Sequence, residues 1–157
     1  MFSDEVVVNV TAYGYTYTLY NVKEISNITF KVKGPNDAHI GLFADIKSTF
    51  VGEPFYEIVI GGWSNTRCAL RKVGYSGPVK RFVGGDKHRY ISAGSFLPYW
   101  ISWTDNIIQL GHGATVGTRT IFTLNDGAAP MEINYLTFGA VNRVTNQFKY
   151  YNGQLSF

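Results

Sequence analysis

The stretch Tyr56-Glu57-Ile58-Val59-Ile60-Gly61-Gly62-Trp63-Ser64-Asn65-Thr66-Arg67-Cys68 narrows most what this chain can fold into. A run of aromatic and β-branched residues meets a pair of glycines, and a second apolar run leads away from them. That is the pattern of a strand, a tight turn and a return strand. No segment of the chain carries apolar residues at helical spacing over ten residues, so the hairpin sets the tone for the whole molecule.

Further strands follow from the same alternation. Val6 to Thr11 and Tyr15 to Tyr20 read as a first pair turning around Gly14, and Ile28-Thr29-Phe30-Lys31-Val32-Lys33 alternates as a half-buried strand does. Gly34-Pro35-Asn36-Asp37 is a turn, because Pro fixes φ and Asn and Asp bond their own backbone. Strands are then expected over His39 to Asp45, Pro54 to Ile60, Thr66 to Val73 and Pro78 to Val83, before a long polar loop from Gly84 to Gly94. Leu97 to Trp103 and Ile107 to Leu110 form a hairpin at Thr104-Asp105-Asn106. Thr118 to Leu124, Glu132 to Phe138 and Phe148 to Tyr151 complete the set. About ten short strands at regular spacing predict an all-β, antiparallel β-sandwich spanning residues 1–157 as one domain.

Composition excludes several classes. Apolar residues make up 45% and charged residues 16%, so the chain can bury a core and is not disordered. A net charge of +3, with no Lys/Arg run longer than two, leaves no footprint for nucleic acid. No apolar run reaches the ~20 residues of a membrane span, and the first residues do not read as a signal peptide. One cysteine, Cys68, rules out an internal disulfide; it is either free, as a buried small hydrophobe is expected to be, or bridges two chains. Asn9-Val10-Thr11 and Asn27-Ile28-Thr29 fit the glycosylation sequon.

Three groups of residues bear on function. Asn36, Asp37 and His39 sit where a loop enters a strand and can offer donors and acceptors to a polar ligand; Asp37 is also the candidate calcium ligand. At the glycine turn, Trp63 can stack on a sugar's C–H face or pack on the sandwich, with Asn65 and Arg67 nearby. Glu57 can pair across strands with Arg67 or Arg71. Asp86, Lys87 and His88 in the long loop are a second choice. Along Tyr99-Trp100-Ile101-Ser102-Trp103, the residues Trp100 and Ser102 face one way and the other three the opposite way. Gly111-His112-Gly113-Ala114-Thr115-Val116-Gly117 lies between strands, so it is no nucleotide loop, which needs a following helix. His39, His88 and His112 lack metal-ligand spacing, and no carboxylate pair stands out for glycoside hydrolysis.

Phe30-Lys31-Val32-Lys33 running into Asn36-Asp37-Ala38-His39-Ile40, then Tyr56 to Arg67, Phe96-Leu97-Pro98-Tyr99-Trp100-Ile101-Ser102-Trp103 and the Ile133 to Gly139 strand together resemble the farnesoic acid O-methyltransferase-like domain family. The resemblance covers roughly residues 26–140, and Cys68 replaces the serine usual there. The family name implies methyl transfer, but an S-adenosylmethionine enzyme of that kind needs a doubly wound α/β sheet, so no such cofactor is expected. The domain type is similar to small marine-invertebrate lectins. It implies an extracellular, non-enzymatic carbohydrate-binding protein for galactose-type sugars or glycoprotein glycans, calcium-assisted or not, acting as a homo-oligomer. The alternative is a structural or protein-interaction module.

Overall fold

The computed structural model describes residues 4–11, 14–15, 19–45, 55–73, 80–127, 130–141 and 144–155. Its strands are β1 (Glu5–Val10), β2 (Gly14–Tyr15), β3 (Tyr20–Asn21), β4 (Asn27–Lys33), β5 (Ala38–Phe43), β6 (Phe55–Gly61), β7 (Arg67–Val73), β8 (Lys80–Gly84), β9 (Leu97–Thr104), β10 (Ile107–His112), β11 (Thr120–Asn125), β12 (Tyr135–Ala140) and β13 (Asn146–Tyr151). Two antiparallel sheets result. One has the order β1-β13-β4-β9-β10-β11. The other runs β2-β12-β5-β6-β7-β8, with β3 sharing the β2 edge of β12. The chain is the expected all-β sandwich. Among the described residues no helix is long and apolar enough to cross a membrane.

Strand alternation builds the core. Ile28, Phe30 and Val32 of β4 and Tyr99 and Ile101 of β9 meet Ile40, Leu42, Ile58, Ile60, Cys68, Leu70 and Phe138 from the facing sheet. Each such side chain contributes roughly 1.5–3 kcal/mol when fully withdrawn from water. The two predicted hairpins form in register, Glu57 opposite Arg71 in one and Trp103 opposite Ile108 in the other. Asp105 and Asn106 carry φ of 52° and 67°, the geometry a two-residue hairpin turn demands.

One expectation is corrected. The first two strands do not pair around Gly14: β1 lies along β13, and β2 along β12 in the other sheet. Val6 faces Tyr150 and Val8 faces Phe148 across that ladder. Such aromatic and β-branched partners stabilise a strand pair, and here they come from the far end of the chain. Residues 16–18, part of the predicted Tyr15 to Tyr20 strand, lie outside the described residues.

Trp100, turned away from the core as its position in the alternation predicts, is nonetheless fully buried. It lies against Gly111, its cross-strand neighbour, where a Cβ would come within 2.2 Å of the indole. Its Nε1–H donates to the Thr118 carbonyl at 2.8 Å, so the glycine-rich segment after β10 serves as a lid over this ring.

Candidate functional site

Alternation that sends Ile40, Ile58 and Leu70 inward puts His39, Glu57, Val59 and Arg71 on the opposite face of the β2-β12-β5-β6-β7-β8 sheet. On that face opens a cleft of about 520 Å³, lined by Asn36, Asp37, His39, Val59, Trp63, Ser64, Arg71 and Val141. It is larger than the cavities of about 160, 30 and 300 Å³ found elsewhere on the molecule.

Its walls are two unusual turns. Gly61 has φ of 74°, and Trp63, Ser64 and Asn65 follow at 51°, 60° and 67°, giving a left-handed coil closed by Thr66 N–H donating to the Gly62 carbonyl at 3.0 Å. Asp37 is also left-handed, at φ 55°. Non-glycine residues in this region cost roughly 1–3 kcal/mol each and persist only where the surroundings hold them. Here the holders are identifiable. Asp37 N–H donates to the Gly61 carbonyl at 2.8 Å, tying the two turns together. Buried Asn146 reaches from β13 and donates through Nδ2 to the carbonyls of Asn36 and Asp37 at 3.1 and 3.0 Å. The Asn65 carboxamide binds the backbone of Tyr90 and Ile91 through three hydrogen bonds.

The left-handed coil swings Trp63 back over the sheet, where the Arg71 guanidinium lies 5.9 Å from its ring centre. Trp63 remains 43% exposed. Arg71 is held from below by Glu57, Nη2 to Oε1 at 2.7 Å, and the other Glu57 oxygen lies 3.6 Å from His39 Nδ1. Arg71 Nε has no hydrogen-bond partner among the described residues. A broad aromatic face therefore stands beside a carboxylate, an amide, an imidazole and a braced guanidinium. Such a set can stack on an apolar ring face while hydrogen-bonding the hydroxyls at its edge.

Of the sequence candidates, Asn36, Asp37, His39 and Trp63 meet in this cleft. Asn65 does not line it; it is buried and bound to the Tyr90–Ile91 backbone. Arg67 is exposed and outside the lining, and Arg71 takes the place expected of it. Asp86, Lys87 and His88 are exposed on the loop before β9, away from the cleft, with His88 stacked on Tyr90 at 5.7 Å. Sequence reasoning did not single out Asn146 or Ser64. Among the described residues no three His, Cys, Asp or Glu side chains converge as a metal group. Asn36 and Asp37 are side chains of the cleft that could offer oxygens to calcium, which would complete its six to eight ligands from backbone carbonyls, water or ligand hydroxyls. Cys68 is fully buried, and desolvation pushes its thiol up to about 12.

A family model described as farnesoic acid O-methyl transferase matches residues 10–154. The chain belongs to that family. None of the curated protein sequences matches it. Solved structures share the architecture at low identity. A prokaryotic beta-1,3-1,4-glucanase (lichenase) from a mouse hindgut metagenome is 11% identical with a TM-score of 0.57, over 94% of this chain and 79% of that one. The Crh5 transglycosylase in complex with NAG is 11% identical at 0.54, over 95% and 75%. A carbohydrate-binding module from Bacillus subtilis is 8% identical at 0.50, over 93% and 81%.

These matches correct the expectation of a non-enzymatic chain. A glucanase and a transglycosylase are built on the same sandwich, so the fold of this farnesoic acid O-methyl transferase family member accommodates catalysis as well as binding. The doubly wound sheet that the family name suggests is not the architecture, since every strand pair described is antiparallel.

Proposed function

We propose that this protein binds carbohydrate in the cleft beneath Trp63. The observation that carries the reading is the exposed indole, fixed on a strained left-handed turn beside Asp37, Asn36, His39 and Arg71. A large apolar ring kept half in water at a conformational cost is poorly explained by packing and well explained by a ligand. The ligand class is a galactose-type sugar. Its axial hydroxyl leaves one continuous C–H face for the indole, and its hydroxyl edge meets the Asp37 carboxylate and the Arg71 guanidinium. The ring contacts proposed need no metal ion. Structures that act on or bind glycans share the sandwich, which supports the reading at the level of fold.

The test is a glycan array with purified protein, with calcium and again with EDTA, followed by product analysis of any glycan retained. Binding to galactose-type glycans that persists in EDTA is expected. Cleaved products would show that the cleft acts on what it holds. A blank array in both conditions overturns the reading and favours a protein-interaction module. Heat evolved on titrating S-adenosylmethionine would instead restore the chemistry of the family name.

A further inference from the structure

At the end of the other sheet lies a second cavity of about 300 Å³, lined by Arg89, Tyr90, Leu97, Pro98, Tyr99, His112, Gly113 and Arg119. Its floor is aromatic. Tyr90 stacks on His112 with ring centres 5.9 Å apart and planes 4° from parallel, and Tyr99 lies 5.3 Å from the same imidazole. Its rim is cationic, and among the described residues no carboxylate lines it. The Arg89 guanidinium is anchored to the carbonyls of Asp86 and His88 at 3.2 and 2.6 Å. Arg119 makes no side-chain hydrogen bond or ion pair among the described residues. It sits at a left-handed φ of 51°, with its Nη1 beside Gly113, where even an added Cβ would lie 3.6 Å away.

Two exposed guanidinium groups on the rim of one small cavity offer an anion several donors at once, and a planar carboxylate matches the guanidinium fork. The apolar walls of Leu97 and Pro98 and the aromatic floor suit the C–H faces of a single ring, and the volume suits one monosaccharide. We propose that this cavity is a second binding site, for an acidic sugar residue whose carboxylate is held by Arg119 and Arg89. It is independent of the cleft under Trp63 and of the ligand proposed there.

His112 supplies a separate readout. Burial and the Arg119 charge hold its pKa below the usual histidine value, and Tyr90, Tyr99, Arg89 and, across Tyr90, His88 are the other titratable or charged groups around it. A bound carboxylate offsets the Arg119 charge and favours the imidazolium. By linkage, affinity then rises as pH falls through the range where His112 gains its proton, which its lowered pKa sets toward the acid side of the usual histidine range.

The experiment is calorimetry of the full chain with methyl glucuronide, methyl glucoside and sodium sulfate, alongside NMR titration of His112. The glucuronide is expected to bind at least tenfold more tightly than the glucoside or sulfate, and to raise the His112 midpoint. Arg119→Gln should lose that preference tenfold with an unchanged thermal midpoint, while Trp63→Ala leaves it intact. Equal affinity for glucuronide and glucoside overturns the proposal, as does sulfate binding as well as the glucuronide. So does a preference that survives Arg119→Gln but is lost in Trp63→Ala.

Discussion

The Asn65 carboxamide clasps Ile91 from both sides, its Oδ1 accepting the Ile91 N–H at 3.0 Å and its Nδ2 donating to the Ile91 carbonyl at 2.6 Å. The same Oδ1 accepts the Tyr90 N–H at 3.2 Å. One side chain thus fastens the turn that carries Trp63 to the segment that carries Tyr90 and Arg89. Asn65→Ala would leave two buried N–H groups and a carbonyl unmet, at about 1–3 kcal/mol for each group left unpaired. We expect a loss of at least about 3 kcal/mol in urea unfolding, together with weaker glycan binding. An unchanged midpoint would show that the clasp is dispensable.

Trp63→Gly should separate binding from stability. Glycine adopts the left-handed conformation freely, so the substitution relieves strain of roughly 1 kcal/mol and forfeits a cation–π contact with Arg71 of roughly 0.5–1 kcal/mol. Affinity for the array's preferred glycan should fall at least tenfold while the urea midpoint stays within error or rises. A large stability loss with intact binding would make the indole a packing element.

Lys72 and Asp126 form a buried ion pair at 2.9 Å, with side chains only 2% and 3% exposed, and the Tyr56 hydroxyl donates to the same carboxylate oxygen. Removing one partner strands the other charge. Lys72→Met should therefore cost about 3–5 kcal/mol, and Lys72→Met combined with Asp126→Leu should recover much of it. Denaturant melts of the wild type, Lys72→Met, Asp126→Leu and the double variant, read as a double-mutant cycle, check this.

Cys68 should be inert in the native state. A fully buried thiol pushed up to about 12 holds almost no thiolate at pH 8, so a disulfide reagent should react only as fast as the protein opens. Its rate should rise with pH only up to the ordinary thiol pKa of about 8.5, where the opened chain's thiol is ionised, and should rise sharply in urea. A rate that keeps climbing above pH 9 and is unmoved by mild urea would show that the thiol is reached without opening.

Most of the fold was legible because strand alternation and turn chemistry are local. The hairpin at Asp105-Asn106, the Glu57–Arg71 pair and the opposed faces of Trp100 and Tyr99 all follow from a period of two and a few turn residues. The pairing of β1 with β13 was not, since nothing near Val6 names a partner so distant in the chain. The site was half legible for the same reason. Asn36, Asp37, His39 and Trp63 stand out as polar or aromatic residues at turns. The choice of Arg71 over Arg67 depends on the left-handed coil that folds Trp63 back across the sheet, and handedness leaves little trace in composition. Asn146 is read as an ordinary strand end until the sheet carries it 110 residues along the chain to Asn36.

The strained turn also gives the molecule an optical label of its own. Of three indoles, Trp100 is sealed beneath its lid and Trp103 is partly covered, whereas Trp63 meets solvent directly. Emission at the red edge, and the fraction open to acrylamide quenching, therefore come chiefly from the ring that faces the cleft. Occupancy can be followed in the unmodified protein by light alone.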